Sequence, residues 1–381
     1  MIIKALKYIR HIGEPREWRI IGKDDDYAYF GNINLLIGKN ASGKSRTLNV
    51  IRKIANLLSG KANLKQAFSP SEYFELIFTE AEDEYKYTLS FKDREVTDEV
   101  LTLNDKVLLD RNNRILTPSD NNIPFNIPKH ELLIASADAS GKHYFEGFVR
   151  WGESLKNYLF SNQLEKNRLV RDYIRIDDND RDIDDTDVLI YTFHKGKQEF
   201  GDAFISEIIS GMQDLGYYVS GIGIDETDGH YGLYVEEDGE YTVSQREMSQ
   251  GMFRSLSLFV LLGYARLNNL SLCLLIDDIG EGLDFDSSKK MINIVVKRVN
   301  KSNMQFFMST NDRYIMNQIP LRYWSVIDRK YNKSIFYDYT NSKDTFEDFK
   351  YTGLNNFDFL STDFYRKGFG IMDEEEDDDN D

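Results

Sequence analysis

Apolar positions along this chain recur at two periods, and the switches between them mark its elements. Residues 33–37 (INLLI) form a short unbroken apolar run, the pattern of a strand buried on both faces. A glycine-rich turn follows. Leu48, Ile51, Ala55 and Leu58 then recur at helical spacing, and Gly60 stands where a left-handed residue would end that helix. Residues 1–60 therefore read as strand, loop, strand, glycine-rich turn, helix. From 73 to 110 the period falls to two. YFELIFTE, YKYTLSF, EVTDEVLTL and KVLLD are separated by charged turns such as Glu82-Asp83-Glu84 and Asn104-Asp105, which predicts an antiparallel meander.

Residues 140–215 read as mainly helical. Phe200, Phe204, Ile208, Met212 and Leu215 form one stripe ahead of Gly216, and their spacing assigns them to the core. The acidic run 177–187 interrupts this section as an expected exposed loop. Two strand-like pieces follow at 217–224 and 230–237, then a helix over 249–268. Residues 272–276 (LCLLI) are a second wholly apolar strand. A helix near 288–299, the strand QFFMS, a short helix and the strand YWSVI complete an alternating α/β pattern. There is no internal repeat and no sustained heptad pattern.

Composition narrows the class. With 381 residues, 41% hydrophobic, and 6 prolines, the chain can bury a large core and is neither collagen-like nor wholly disordered. The lone Cys273 excludes an intramolecular disulfide and any cysteine-based zinc or iron–sulfur site. No apolar stretch approaches the ~20 residues of a membrane span, and the opening MIIKALKYIRHIG is too short and too charged for a signal peptide. A soluble, cytoplasmic protein is expected. The net charge of −17 sits mostly in the run 177–187 and the tail 373–381, which carry −6 and −8. The remaining body is near neutral, so charge neither supports nor excludes nucleic acid.

The chemistry begins at Gly38-Lys39-Asn40-Ala41-Ser42-Gly43-Lys44-Ser45, which fits the phosphate loop G-x-x-x-x-G-K-[ST] at every fixed position. Such a turn points successive backbone N–H groups inward, and the following helix offers its positive end to phosphates. Lys44 would bridge the β- and γ-phosphates of ATP, and the Ser45 hydroxyl would ligate Mg²⁺. The apolar strand 272–276 ends in Asp277 and Asp278. A parallel strand beside the phosphate-loop strand would bring Asp277 to the magnesium and Asp278 towards the attacking water. Ser249-Gln250-Gly251 stands at the start of a long apolar helix. By itself, Ser249 is an ordinary helix cap; together with Gly251 it is also an anion-binding arrangement. The five histidines have no ligand spacing, and the 177–187 run lacks the Gly and Glu that a calcium loop requires.

Taken together, these motifs resemble the ABC-type phosphate-loop ATPases. GKNASGKS is similar to the GxNGSGKS form of the RecF, SMC and OLD-type branch, and Ser249-Gln250-Gly251 resembles its signature motif. Residues 277–284 (DDIGEGLD) match the family's Asp-Glu-Pro-x-x-x-Leu-Asp stretch without a gap. The resemblance puts Asp278 at the catalytic-glutamate position, with Glu281 as the alternative acid, and Asp284 at the D-loop aspartate. Asn311, after QFFMST, stands at the switch-histidine position. The chain departs from the pattern in three ways. Asp278 is one methylene shorter than glutamate, Asn311 cannot take a proton, and Arg46 replaces a second hydroxyl residue in a set of nucleotide contacts running from Gly38 to Arg46. These departures bear on turnover, not on nucleotide binding.

The resemblance implies an α/β phosphate-loop NTPase: a mostly parallel sheet, an antiparallel β lobe and an inserted helical lobe. The expected division is 1–135, a mainly helical 136–240, 241–345 with the later motifs, and a 346–381 end carrying the acidic tail. It also implies Mg²⁺-dependent ATP hydrolysis and a homodimer or higher oligomer that sandwiches ATP, with Ser249, Gln250, Gly251 and Asp284 acting in trans. The compact size resembles ATPases of bacterial defence and DNA-maintenance operons, without the nuclease domain of OLD proteins. A separately encoded effector, either a nuclease or a toxin, is the expected partner. DNA is a further candidate partner, and no membrane is expected. Two alternatives stand beside this: a nucleotide-gated regulatory module with little hydrolysis, and a DNA-binding structural head.

Overall fold

The computed structural model describes residues 1–66, 70–117, 128–136, 145–159, 166–167, 169–170, 188–269, 271–280, 282–300 and 302–370. The acidic run 177–187, the acidic tail and Glu281 lie outside the described residues. The chain opens with β1 (Ile2–Arg10), β2 (Trp18–Gly22), β3 (Ala28–Tyr29) and β4 (Ile33–Ile37), and α1 (Lys44–Leu58) follows β4 across the glycine-rich turn. The meander is β5 (Ser71–Glu80), β6 (Asp83–Lys92), β7 (Glu95–Leu103), β8 (Lys106–Asp110) and β9 (Ile115–Leu116). Next come α2 (Glu146–Ser154), β10 (Leu155–Leu159), α3 (Val188–Phe200) and α4 (Asp202–Leu215). A separate antiparallel sheet holds β11 (Val219–Thr227), β12 (His230–Glu237) and β13 (Tyr241–Ser244). The last part alternates α5 (Gln250–Leu267), β14 (Cys273–Asp277), α6 (Phe285–Val299), β15 (Gln305–Ser309), α7 (Arg313–Gln318), β16 (Trp324–Lys330) and β17 (Lys333–Asp338). Three short helices close it: α8 (Lys343–Phe349), α9 (Asn356–Ser361) and α10 (Phe364–Lys367).

The main sheet runs β10-β14-β15-β4-β16-β17-β2-β1-β5-β6-β7-β8-β9, with β3 also on β1. From β10 to β16 every neighbour is parallel, and β17 pairs in parallel with β2. The meander is antiparallel and joins the same sheet through β5 and β1. Because β4, β14, β15 and β16 are parallel, their C-terminal ends share one edge. That edge receives the glycine-rich loop, the Asp277-Asp278 pair and the residues after QFFMS, the usual place for a ligand in an α/β sheet.

The period-two pattern of the buried strands divides side chains between two cores. Ile33, Leu35, Ile37, Leu274, Ile276, Phe306 and Met308 enter one, and Leu36, Cys273, Leu275 and Phe307 the other. This is why these strands read as unbroken apolar runs: both faces are covered. On one side α1 packs Leu48, Ile51, Ala55 and Leu58 inward, as its spacing predicts, and Gly60 follows at φ +72°. On the other side lies α5, buried along nearly its whole length, with α3 and α4 over it. The stripe expected from Phe200 to Leu215 is shared between two helices, because Gly201 breaks the chain at φ +53°. Within the stretch expected to be helical, 155–159 instead form the edge strand β10 beside β14. Among the described residues no helix is long and apolar enough to cross a membrane.

Candidate functional site

The glycine-rich loop is shaped by positions that only small residues can fill. Gly38 (φ +155°) and Gly43 (φ +116°) have no room for a side chain. A Cβ would stand 2.4 Å from the Ile327 carbonyl oxygen at Gly38, and 2.7 Å from Ser334 Oγ at Gly43. Between them Ala41 holds φ +62°, a left-handed conformation that costs a side-chain-bearing residue about 1 kcal/mol. The β16–β17 hairpin backs this loop. Ser334 Oγ donates to the Ser42 carbonyl at 2.8 Å and accepts from Trp18 Nε1 at 3.1 Å.

Inside the loop, the Lys44 ammonium is buried and donates to the carbonyls of Gly38 at 2.8 Å and Lys39 at 3.4 Å. Burial pushes its pKa down, while the charges of Asp278 and Asp277 pull it back up. The buried Ser42 Oγ has no hydrogen-bond partner among the described residues. Ser45 and Arg46 lie exposed on the first turn of α1, and the Arg46 guanidinium stacks 5.6 Å above the Trp18 ring. Lys39 and Asn40 are exposed as well, and the Lys39 ammonium pairs with Asp363 at 3.7 Å.

The ends of β14 and β15 are tied together next to this loop. The fully buried Ser309 hydroxyl donates to the Asp277 carboxylate and accepts the Asp278 backbone N–H at 3.0 Å. Ile279 N–H donates to the Ser309 carbonyl at 2.9 Å. Asp278 itself is exposed at φ +54°, and Asn311 Nδ2 reaches its Oδ1 at 3.5 Å. A cavity of about 340 Å³ is lined by residues 40–46 together with Asp278, Asn311 and Arg329. A larger one, about 560 Å³, lies between α2, α3 and the end of α5 and holds none of these residues.

The signature-like residues form a second cluster. Ser249 caps α5, its Oγ accepting from Met252 N–H at 3.1 Å. Asp284 caps α6, accepting from the N–H and hydroxyl of Ser287 at 2.9 and 2.7 Å, and those bonds hold its carboxyl below the usual range. Gly251 and Gly282 bring the two caps together. Ser249, Gln250, Gly251 and Asp284 do not line the cavity around the loop of their own chain.

Sequence reasoning did not single out Arg329, Ser309 or Ser334. Arg329 follows the strand YWSVI without any motif, and Ser334 has no local signal. Ser309 carried one usable sign: a hydroxyl directly after the apolar run Phe306-Phe307-Met308 and directly before Thr310-Asn311.

The residues present suit phosphate and a hard cation. The loop offers turned backbone, a buried ammonium and an unpartnered hydroxyl, and its surroundings offer oxygen donors from Ser45, Asp277 and Asp278. Magnesium favours such oxygens and takes few protein ligands beside phosphate. No group of three or more His, Cys, Asp or Glu side chains able to hold a metal occurs among the described residues.

Among known families, the one described as "AAA domain, putative AbiEii toxin, Type IV TA system" matches residues 33–317. No curated protein matches the chain. Among solved structures, the SMC head bound to the C-winged helix domain of ScpA is similar with a TM-score of 0.52 and 13% identity, over 88% of this chain and 97% of that one. The SMC head with an extended coiled coil from Pyrococcus furiosus, bound to the C-terminal domain of ScpA, gives 0.52 and 12%, over 91% and 99%. At these identities the likeness is one of fold, and the fold is that of an SMC head.

Proposed function

This chain belongs to the family of AAA domains described as putative AbiEii toxin, Type IV TA system, and from that premise we propose that it binds and hydrolyses ATP to drive an association cycle. The observation that carries this reading is the cavity where Lys44, Asp278 and Asn311 converge on the glycine-rich loop. ATP would lie with its phosphates in the loop, its β- and γ-charges met by Lys44 and the N–H groups of residues 40–45. Asp278 would accept a hydrogen bond from the attacking water and hold it in line with the γ-phosphorus. Asn311 would steady that carboxylate and donate towards the γ-phosphate. Asp277, oriented by Ser309, and Ser45 would hold Mg²⁺, which supplies charge neutralisation at the phosphates.

Ser249, Gln250, Gly251 and Asp284 are best used by a second copy. Lying apart from their own loop, they would close on the triphosphate of a partner subunit, so that association reports nucleotide state. A cytoplasmic setting, with this dimer controlling a separately encoded effector, fits the resemblance to defence-operon ATPases. A second reading, slow hydrolysis with ATP serving mainly to hold the dimer, is favoured by the short Asp278 and the neutral Asn311.

The test is binding of a labelled ATP analogue together with steady-state hydrolysis, in the full chain and in Lys44→Ala. Wild type should bind and turn over ATP, and the variant should do neither. Equal affinity in the two would overturn the assignment.

A further inference from the structure

We propose that Arg329 is a second phosphate-binding cation of this site, seated on the same nucleotide as Lys44; the inference rests on the ATP-binding reading above. β16 runs parallel to β4 on the side away from β15, with Trp324, Ser325 and Val326 opposite Leu35, Leu36 and Ile37. Three residues further, the strand carries Arg329 past the loop that begins at Gly38. Its Nη1 donates to the Ala41 carbonyl at 3.1 Å, and its Nε to the Tyr331 carbonyl at 3.4 Å.

Two nearby basic side chains have counter-ions, whereas Arg329, among the described residues, has none. Lys39 pairs with Asp363 at 3.7 Å, and Arg366 pairs with Asp328 at 3.6 Å and with Asp363 at 3.8 Å. Among the described residues no carboxylate lies within ion-pair distance of Arg329. A guanidinium has five N–H donors, and two carbonyls engage only part of them. The rest belong to a cation lining a cavity whose other donors, Lys44 and Ser42, suit phosphate oxygens. Arginine is well matched to such oxygens because its planar fork bonds two at once. The bond to Ala41 serves the same end: it fixes the guanidinium at the lip of the loop before the ligand arrives, so less freedom is lost on binding.

The experiment compares wild type, Arg329→Met, Arg329→Lys and Lys44→Ala in the full chain. A labelled ATP analogue is titrated at several salt concentrations, and thermal unfolding is followed with and without ATP. A charge on the phosphates predicts affinity about tenfold or more weaker in Arg329→Met, with flatter salt dependence and partial recovery in Arg329→Lys, which restores the charge but not the fork. Unfolding without nucleotide should be unchanged, while the ATP-induced rise in Tm shrinks. Wild-type affinity in Arg329→Met, or weakening with unaltered salt dependence and a lowered nucleotide-free Tm, would overturn the proposal and leave Arg329 as a brace for the loop. If Lys44→Ala abolishes binding in that same series, only the Arg329 inference falls. If Lys44→Ala also binds normally, the ATP site itself has been misplaced.

Discussion

Gly251 and Gly282 approach so closely that a Cβ on Gly251 would stand 2.7 Å from the Gly282 carbonyl oxygen. One lies in the first turn of α5, the other in the loop between β14 and α6 at φ +80°. Their contact is backbone against backbone, and it sets the exposed caps Ser249 and Asp284 on one surface. Since that loop also follows Asp277 and Asp278 in the chain, the surface and the nucleotide site lie on one continuous segment.

Gly251→Ala should force that loop away from α5 and spoil the surface without touching the glycine-rich loop. ATP binding is expected to persist while ATP-dependent association is lost, as read by light scattering with and without nucleotide. Ser249→Arg should act likewise, at a cost of about 1 kcal/mol for the lost helix cap. Undiminished association in both variants would leave Ser249 as a plain cap.

Asp278→Asn should bind ATP normally and slow hydrolysis by about a hundredfold or more, because the amide no longer accepts and orients the water as a carboxylate does. Asp277→Ala should instead weaken magnesium-dependent ATP binding. Single-turnover hydrolysis and a magnesium titration separate the two. Wild-type turnover in Asp278→Asn would transfer the role to another acid, with Glu281 the first to test.

Asp338, at the end of β17, is buried and accepts the backbone N–H groups of Tyr29, Thr340 and Asn341 at 3.0, 2.9 and 3.0 Å. Burial outweighs those bonds and pushes its pKa up to about 6. An unfolded aspartate titrates at about 3.9, so the folded state binds this proton more tightly. Its contribution therefore favours folding below about pH 4 and is lost as pH rises through about 6. Urea midpoints of wild type minus Asp338→Asn, taken between pH 4 and pH 7, should fall across that window. A flat or rising difference would mean that the carboxylate is ionised throughout.

Some of this protein was settled by local sequence. The phosphate loop is legible because its constraints are local: Gly38 and Gly43 need conformations and space that other residues lack, and Lys44 follows at a fixed distance. The strands ending at Ile37, Asp277 and Ser309 are legible because burial on both faces leaves an unbroken apolar run. The cap at Ser249 follows from a side-chain oxygen three residues ahead of the N–H group it receives. Tertiary structure alone decided the rest. That β4 lies between β15 and β16, and that the meander continues the same sheet, depends on pairing between distant segments, which no local period encodes. The Gly201 break divides a stripe whose spacing alone reads as one helix, since an apolar period reports which face is buried and not whether the backbone is continuous. Arg329 on Ala41 and Ser309 on Asp277 are meetings between strand ends and loops far apart in the chain. An arginine near the end of a strand and a serine ending one acquire their roles only when the parallel register brings them to the edge that holds the glycine-rich loop.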